Sequence, residues 1–176
     1  MAFSNPSTKA VGSVLTAANW NEQVANTDFL ARPPSVSLTR TTEQSLAAAA
    51  WRSLSWNAEG WDTDTMWSST APTRIDINTA GKYLCTANAA RSTAGDGNIL
   101  TIGFTVGGST TAVPNNGVAA GNEGSPSAGG ATITRILSLT STQFIRVQGI
   151  SNGSTAATIV HSSVHVPSVS VLWVSS

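Results

Sequence analysis

After Pro33-Pro34 the hydrophobic pattern takes a period of two and keeps it to the last residues. The run "NILTIGFTV" sets Leu100, Ile102, Phe104 and Val106 on one face. The same alternation runs through "SVSLTR" (Val36, Leu38), "RSLSW" (Leu54, Trp56), "RIDI" (Ile75, Ile77), "ATITRILSL", "QFIRVQGI", "ATIVHSSVHV" and "VSVLWV". Apolar residues at every second position, rich in β-branched types, specify strands with one buried face. Turn residues separate the runs: Asp96-Gly97 as a tight hairpin, Gly107-Gly108 after the strongest strand, and Asn152-Gly153. The small-residue stretch "NNGVAAGNEGSPSAGGA" reads as a long exposed loop. About eight to ten short strands at roughly 8–15-residue spacing predict an all-β sandwich or barrel.

Before the prolines the period is different. "LTAANWNEQVANTDFLARPP" predicts one helix, with Thr16 as N-cap and Leu15 packing on Trp20 as a hydrophobic staple. Residue 19 is Asn where a capping box wants Glu or Gln, so the box is expected to be incomplete. Trp20 and Val24 stand one turn apart, Ala31 loosely continues their stripe, and the prolines end the helix. A helix of about 15 residues is marginal alone in water, so it must dock on something. The chain divides into an arm and anchoring helix, 1–34, and a β domain, 35–176. Leu15, Trp20, Val24 and Phe29 are the expected anchoring residues.

Charged residues make up 10% of the chain and the formal net charge is zero. Soluble domains carry about 25%. Such a surface exerts no pull on nucleic acid or anionic lipid, and it does little to keep copies apart, which suits an assembly. The hydrophobic content of 40%, with six tryptophans, belongs to a folded chain rather than a disordered one. Cys85 is the sole cysteine, so no intramolecular disulfide or thiolate cluster forms; in "KYLCTANA" it reads as a small buried hydrophobe. The first fifteen residues lack a targeting pattern and no run approaches 18 apolar residues, so synthesis in a cytoplasm is expected. Neither nucleic acid, membrane nor cofactor is expected.

The chemistry-bearing residues are few. His161 and His165 are the only histidines, and a regular strand would place both on one face, about 13 Å apart. That is too far to share one metal, and neither lies in a catalytic or zinc signature. The glycine-containing turns precede no amphipathic helix, as a phosphate cradle would require. The densest acidic stretch is "NAEGWDTDTMWSSTAP", which holds Glu59, Asp62 and Asp64 between and beside Trp61 and Trp67. Three readings compete there. The carboxylates can order a corner by bonding nearby backbone, which the residue types favour. They can supply hard oxygen ligands to a cation, although no bidentate Glu follows at the twelfth position. Or Glu59 and Asp62 can form a glycosidase pair, as in a depolymerase.

The order of "VLTAANWNEQVANTDFLARPPSVSLTRTTEQSL", "WRSLSWNAEGWDTDTMWSST" and "RIDINTAGKYLCTANA" resembles tailed-bacteriophage and prophage virion proteins with a C1q/TNF-like jelly roll. "LSLTSTQFIRVQGISNGS" and the closing "VSVLWVSS" resemble that family's late strands, so the likeness runs roughly from residue 11 to 176. Gly81 and Tyr83 match the glycine and core aromatic of its "AGKYL" strand. The resemblance implies an all-β jelly-roll sandwich preceded by a short N-terminal helix and arm. It implies a homotrimer, with Trp56, Trp61, Trp67, Tyr83, Phe104, Phe144 and Trp173 as core or trimer packing. The function it implies is a non-enzymatic virion structural protein assembled in the host cytoplasm. The concrete form is a trimeric capsid decoration or head-spike protein, docked on the major capsid protein or another virion protein through residues 1–34. The alternative is a tail-tip or fibre knob that binds a host surface glycan or protein through loops 57–70 and 114–130.

Overall fold

In the computed structural model, residues 8–92, 99–108, 112–120, 130–151, 157–159, 161, 162 and 165–176 are described. Helix α1 (Ala17–Ala31) is followed by β1 (Ser35–Thr39), β2 (Gln44–Leu46), β3 (Arg52–Ser53), β4 (Ala58–Asp62), β5 (Ile75–Asp76) and β6 (Gly81–Ser92). Then come β7 (Leu100–Val106), β8 (Val118–Ala120), β9 (Gly130–Leu139), β10 (Phe144–Ser151), β11 (Ala157–Ile159) and β12 (Ser168–Ser175). One sheet runs β2-β11-β6-β12-β1-β4, with β9 on the other edge of β6; the second runs β3-β10-β7-β8, with β5 also on β10. Every named pairing is antiparallel. This is the all-β two-sheet sandwich with one N-terminal helix that the period-two pattern and the resemblance imply.

The alternating positions meet between the sheets. Val36, Leu38, Tyr83, Cys85, Ala87, Val169, Val171 and Trp173 face inward from the first sheet, and Ile75, Leu100, Ile102, Phe104, Ile145 and Val147 from the second. Trp56 and Met66, from irregular segments, fill the rest of the layer. Burying a side chain of this kind contributes about 1.5–3 kcal/mol, so the inward set supplies most of the driving force.

Some expected elements are shorter or different. Leu54 and Trp56 are buried as predicted, but only Arg52 and Ser53 pair as strand. The Leu54 N–H still reaches Val147 O at 2.8 Å, whereas the Trp56 N–H turns to Pro72 O at 2.8 Å, which takes the chain off the sheet. Among the described residues of "ATIVHSSVHV", Ala157–Ile159 are strand. Ser162 N–H donates to His165 O and His165 N–H to Ser162 O, at 2.8 and 3.3 Å, and neither histidine lies in a strand, so the two do not share a strand face. Within the expected long loop, Val118–Ala120 adds a strand to β7. Asp96-Gly97, Asn152-Gly153 and residues 121–129 lie outside the described residues. Gly107 and Gly108 do end β7, at φ +68 and +78.

The helix start also differs from expectation. Thr16 caps it, and Asn19 closes the box: its Oδ1 accepts the Thr16 N–H while Thr16 Oγ1 accepts the Asn19 N–H, both at 3.3 Å. The amide oxygen does what a Glu carboxylate does one methylene further out. Leu15 and Trp20, the expected staple, are each about two-thirds exposed.

Candidate functional site

The acidic corner comes first. β4 ends at Asp62, whose Oδ1 accepts the Asp64 N–H at 3.1 Å and whose Oδ2 accepts the Trp67 N–H at 2.9 Å. Asp64 Oδ2 accepts the Thr79 hydroxyl at 3.2 Å. The Asn78 amide donates to Asp64 O (2.6 Å) and Thr65 O (3.2 Å), which braces Thr65 at a left-handed φ of 52. A left-handed non-glycine residue costs about 1–3 kcal/mol and persists only where neighbours fix it. Glu59 is exposed, and an irregularity in the β1–β4 register sets it opposite Leu38, while Asp62 lies opposite Val36. Among the described residues no group of three or more His, Cys, Asp or Glu could hold a metal ion. The carboxylates of Glu59, Asp62 and Asp64 therefore do not converge as a cation site, which corrects that reading. The aspartates are engaged by backbone and hydroxyl donors, and the glutamate stands apart.

The second candidate is the outer face of the first sheet. Strand register places Leu172 opposite Leu84 and Leu84 opposite Ile136, an apolar row across β12, β6 and β9. All three are exposed, as are Val174 on β12 and Trp61 on β4. The neighbouring row is Ser37, Ser170, Thr86 and Thr134 across β1, β12, β6 and β9. Its hydroxyls bond one another sideways: Ser170 to Ser37 at 3.3 Å, and Thr86 with Thr134 at 3.2 Å. Asn88 likewise donates to Ser168 Oγ at 2.6 Å. A groove of about 390 Å³, lined by Pro33, Trp61, Leu84 and Leu172, opens on this face. Lys82 is the one charge in the outward series Lys82, Leu84, Thr86, Asn88 of β6 and Ser168, Ser170, Leu172, Val174 of β12. An antiparallel sheet normally presents polar residues on its second face. Here that face sets an apolar row beside a laterally hydrogen-bonded hydroxyl row and is nearly chargeless, so covering it strands few polar groups.

The expected anchoring residues separate. Phe29 is buried and meets Trp173 edge-on, with ring centroids 4.8 Å apart and planes at 90°. It is engaged within its own chain, which corrects its assignment as an anchor to a partner. Leu15, Trp20 and Val24 are exposed. The packing aromatics also divide. Trp56, Tyr83 and Phe104 are fully buried, and Trp173 nearly so. Trp67 packs partly against the core. Trp61 is exposed beside the groove, so it adds nothing to the single-chain core. Phe144 lies outside the core cluster, with the Arg146 guanidinium 4.4 Å and the Arg74 guanidinium 5.2 Å from its ring centre. Burial, followed by the like charge of Arg74, lowers the Arg146 guanidinium's pKa, and Asp76 partly restores it. Cys85 is buried and its thiol is pushed up to about 12, so it is a packing group with no nucleophilic character at neutral pH.

The outer-face residues Leu84, Ile136, Leu172 and Val174 were not singled out by the sequence reading. Their signal is a break in alternation: "VLWV" is apolar at both parities. In a strand of a two-layer sandwich, one parity is core and the other must find a second cover.

No protein-family model matches the sequence, and neither does any curated protein. Solved structures do match in shape. The globular domain of a zebrafish complement 1qA protein aligns with a TM-score of 0.55 at 10% identity, over 80% of this chain and 97% of that one. A TNF protein from S. frugiperda, Eiger, gives 0.58 at 10% identity, over 81% and 94%. Murine APRIL gives 0.57 at 10% identity, over 80% and 98%. The chain therefore has the C1q/TNF-like jelly-roll fold.

Proposed function

We propose that this chain is a non-enzymatic structural protein of a tailed-phage virion. In this reading three copies assemble through the outer face of the β12-β6-β9 sheet, and the N-terminal segment attaches the assembly to the particle. The observation that carries the self-association is the chargeless row Leu172–Leu84–Ile136, beside hydroxyls that already satisfy one another. The virion setting rests on the sequence resemblance of the helix, the "WDTDTM" corner and the "AGKYL" strand. Exposed Leu15, with Val11 and Val14 before it, supports an attachment role for the N-terminal segment. Bound only to an assembled lattice, such a protein stabilises the shell by mass action.

Two measurements test this reading. Light scattering on the purified chain should give three times 18.0 kDa. Labelled antibody on intact particles should decorate heads, at tens to hundreds of copies. Label confined to the tail, with saturable binding of the isolated protein to host cells, would replace decoration with the receptor-binding knob.

A further inference from the structure

Helix α1 turns the wrong side inward. The positions that face its own sandwich are Asn19, Glu22, Ala25, Asn26 and Phe29, three of them polar, and Asn26 is 5% exposed. The opposite side carries Ala17, Trp20, Val24, Thr27 and Ala31, every one exposed. Trp20 is 64% exposed although it is the largest apolar side chain of the helix. Those five positions are spaced three, four, three and four apart. That is the spacing of a seam between like helices, in which alternate apolar positions interlock with their counterparts. A helix docked on one flat surface instead shows a broader stripe.

The residues beside the seam say which partner fits. Asn21, Gln23 and Leu30 are uncharged, and Asp28 is the one charge. In a parallel assembly the residue at 23 of one helix meets the residue at 28 of the next. The contact is then a Gln23 amide facing an Asp28 carboxylate, a donor against an acceptor, with no like-charge pair. Helices that run along a three-fold axis point the same way along it, so such a bundle is parallel. Pro33, which follows the helix, lines the same groove as Trp61, Leu84 and Leu172, so the end of the helix stands beside that face.

We propose that the Ala17–Trp20–Val24–Thr27–Ala31 seam closes on the same seam of the other two copies, as a short parallel three-helix bundle. The proposal rests on the trimeric reading above and divides the N-terminal segment. Trp20 and Val24 belong to self-contact, and Val11, Val14 and Leu15 are left for the particle.

The test uses the full chain carrying Val24→Cys, oxidised with diamide and run on a non-reducing gel. Two of every three chains should become disulfide-linked. Ala18→Cys, exposed on the other side of the helix, should give only background, and the buried Cys85 does not compete. Trp20→Glu should raise the concentration for half-dissociation about tenfold or more while leaving the circular dichroism spectrum unchanged. A trimer by light scattering in which Val24→Cys links no better than Ala18→Cys overturns the bundle and leaves the trimer standing. A monomer with no linkage overturns both.

Discussion

Gly81 is the position where one methyl group would do most damage. An ideal Cβ there would sit 2.1 Å from Trp173 Nε1 and 2.6 Å from Ser175 O. The backbone has little room to retreat, because Gly81 pairs with Leu139 of β9 and the next residue, Lys82, pairs with both β9 and β12. Trp173 is itself fixed by an indole N–H bond to Ala80 O at 3.2 Å and by its edge contact with Phe29. Gly81→Ala should therefore cost about 3 kcal/mol or more in urea unfolding, at the upper end for overpacking. A loss under about 1 kcal/mol would mean the indole has somewhere else to go. The acidic corner gives a paired contrast. Asp62→Ala strands the N–H groups of Asp64 and Trp67 and should cost about 2–4 kcal/mol, whereas Glu59→Gln should stay within about 0.5 kcal/mol. Equal effects would put the corner's order elsewhere. Two buried acids add a pH dependence. Burial raises the Cys85 thiol from 9.0 to about 12; burial, with the charges of Asp64 and Cys85, raises the Tyr83 phenol above its usual 10.0. Both have folded values above their unfolded ones, so the unfolded chain ionises first. Their contribution is complete below pH 9 and is lost as pH rises toward 12. Unfolding free energy should fall as pH rises from about 9 toward 12, and Cys85→Ala should flatten the early part of that fall. A level wild-type profile would contradict the burial of the thiol.

Phe29 is the one apolar side chain of helix α1 that is fully buried, edge-on against Trp173, so Phe29→Ala should loosen the helix. The expected cost is about 3–5 kcal/mol if helix and sandwich unfold together. Limited proteolysis should then cut within 17–31 while the sandwich persists; protection equal to wild type would show that Asn26 and the cap hold the helix unaided. The element was legible because Thr16 and Pro33-Pro34 punctuate it, but the docked face was not. Trp20 and Val24 drew attention as the apolar stripe, and they point outward. Helical period alone reports which residues share a side, not which side the rest of the chain covers. The strands show the same division. Val36, Leu38, Leu100, Ile102 and Phe104 were readable as inward because their neighbours are polar or small. Leu54 and Trp56 were read as strand because an irregular segment with two buried anchors gives the same alternation. Nothing in "HSSVH", which holds no Gly or Pro, announced the exchange of backbone bonds between Ser162 and His165. At the corner the role of Asp62 followed from its residue type. The left-handed Thr65 did not, since its brace, Asn78, lies 13 residues away.

The sandwich as a whole leaves an apolar face uncovered, and the energetics of covering it distinguish self-assembly from an ordinary surface. A stable contact between two copies buries about 800 Å² on each partner, far more than one row of side chains, so the face must act with its flanking hydroxyl row and Trp61. Those hydroxyls are already bonded laterally, so burying them forfeits little to water. Leu84→Asp with Leu172→Asp tests this directly. Both leucines are more than a third exposed in the single chain, so folding should change by about 1 kcal/mol or less. In a trimer the pair would place six unpaired carboxylates in a dry contact, each costing several kcal/mol. The variant should therefore sediment as a protomer with an unaltered β-sheet spectrum. Concentration supplies the independent check. A chain stabilised by association has a melting temperature that rises with protein concentration, and a protomer does not. Wild type should show that rise from low to high micromolar concentration, and the double variant should be flat. A flat wild type would leave the apolar row as exposed surface with some other cover; a rise that survives both aspartates would move the contact between copies off this sheet and onto another part of the chain.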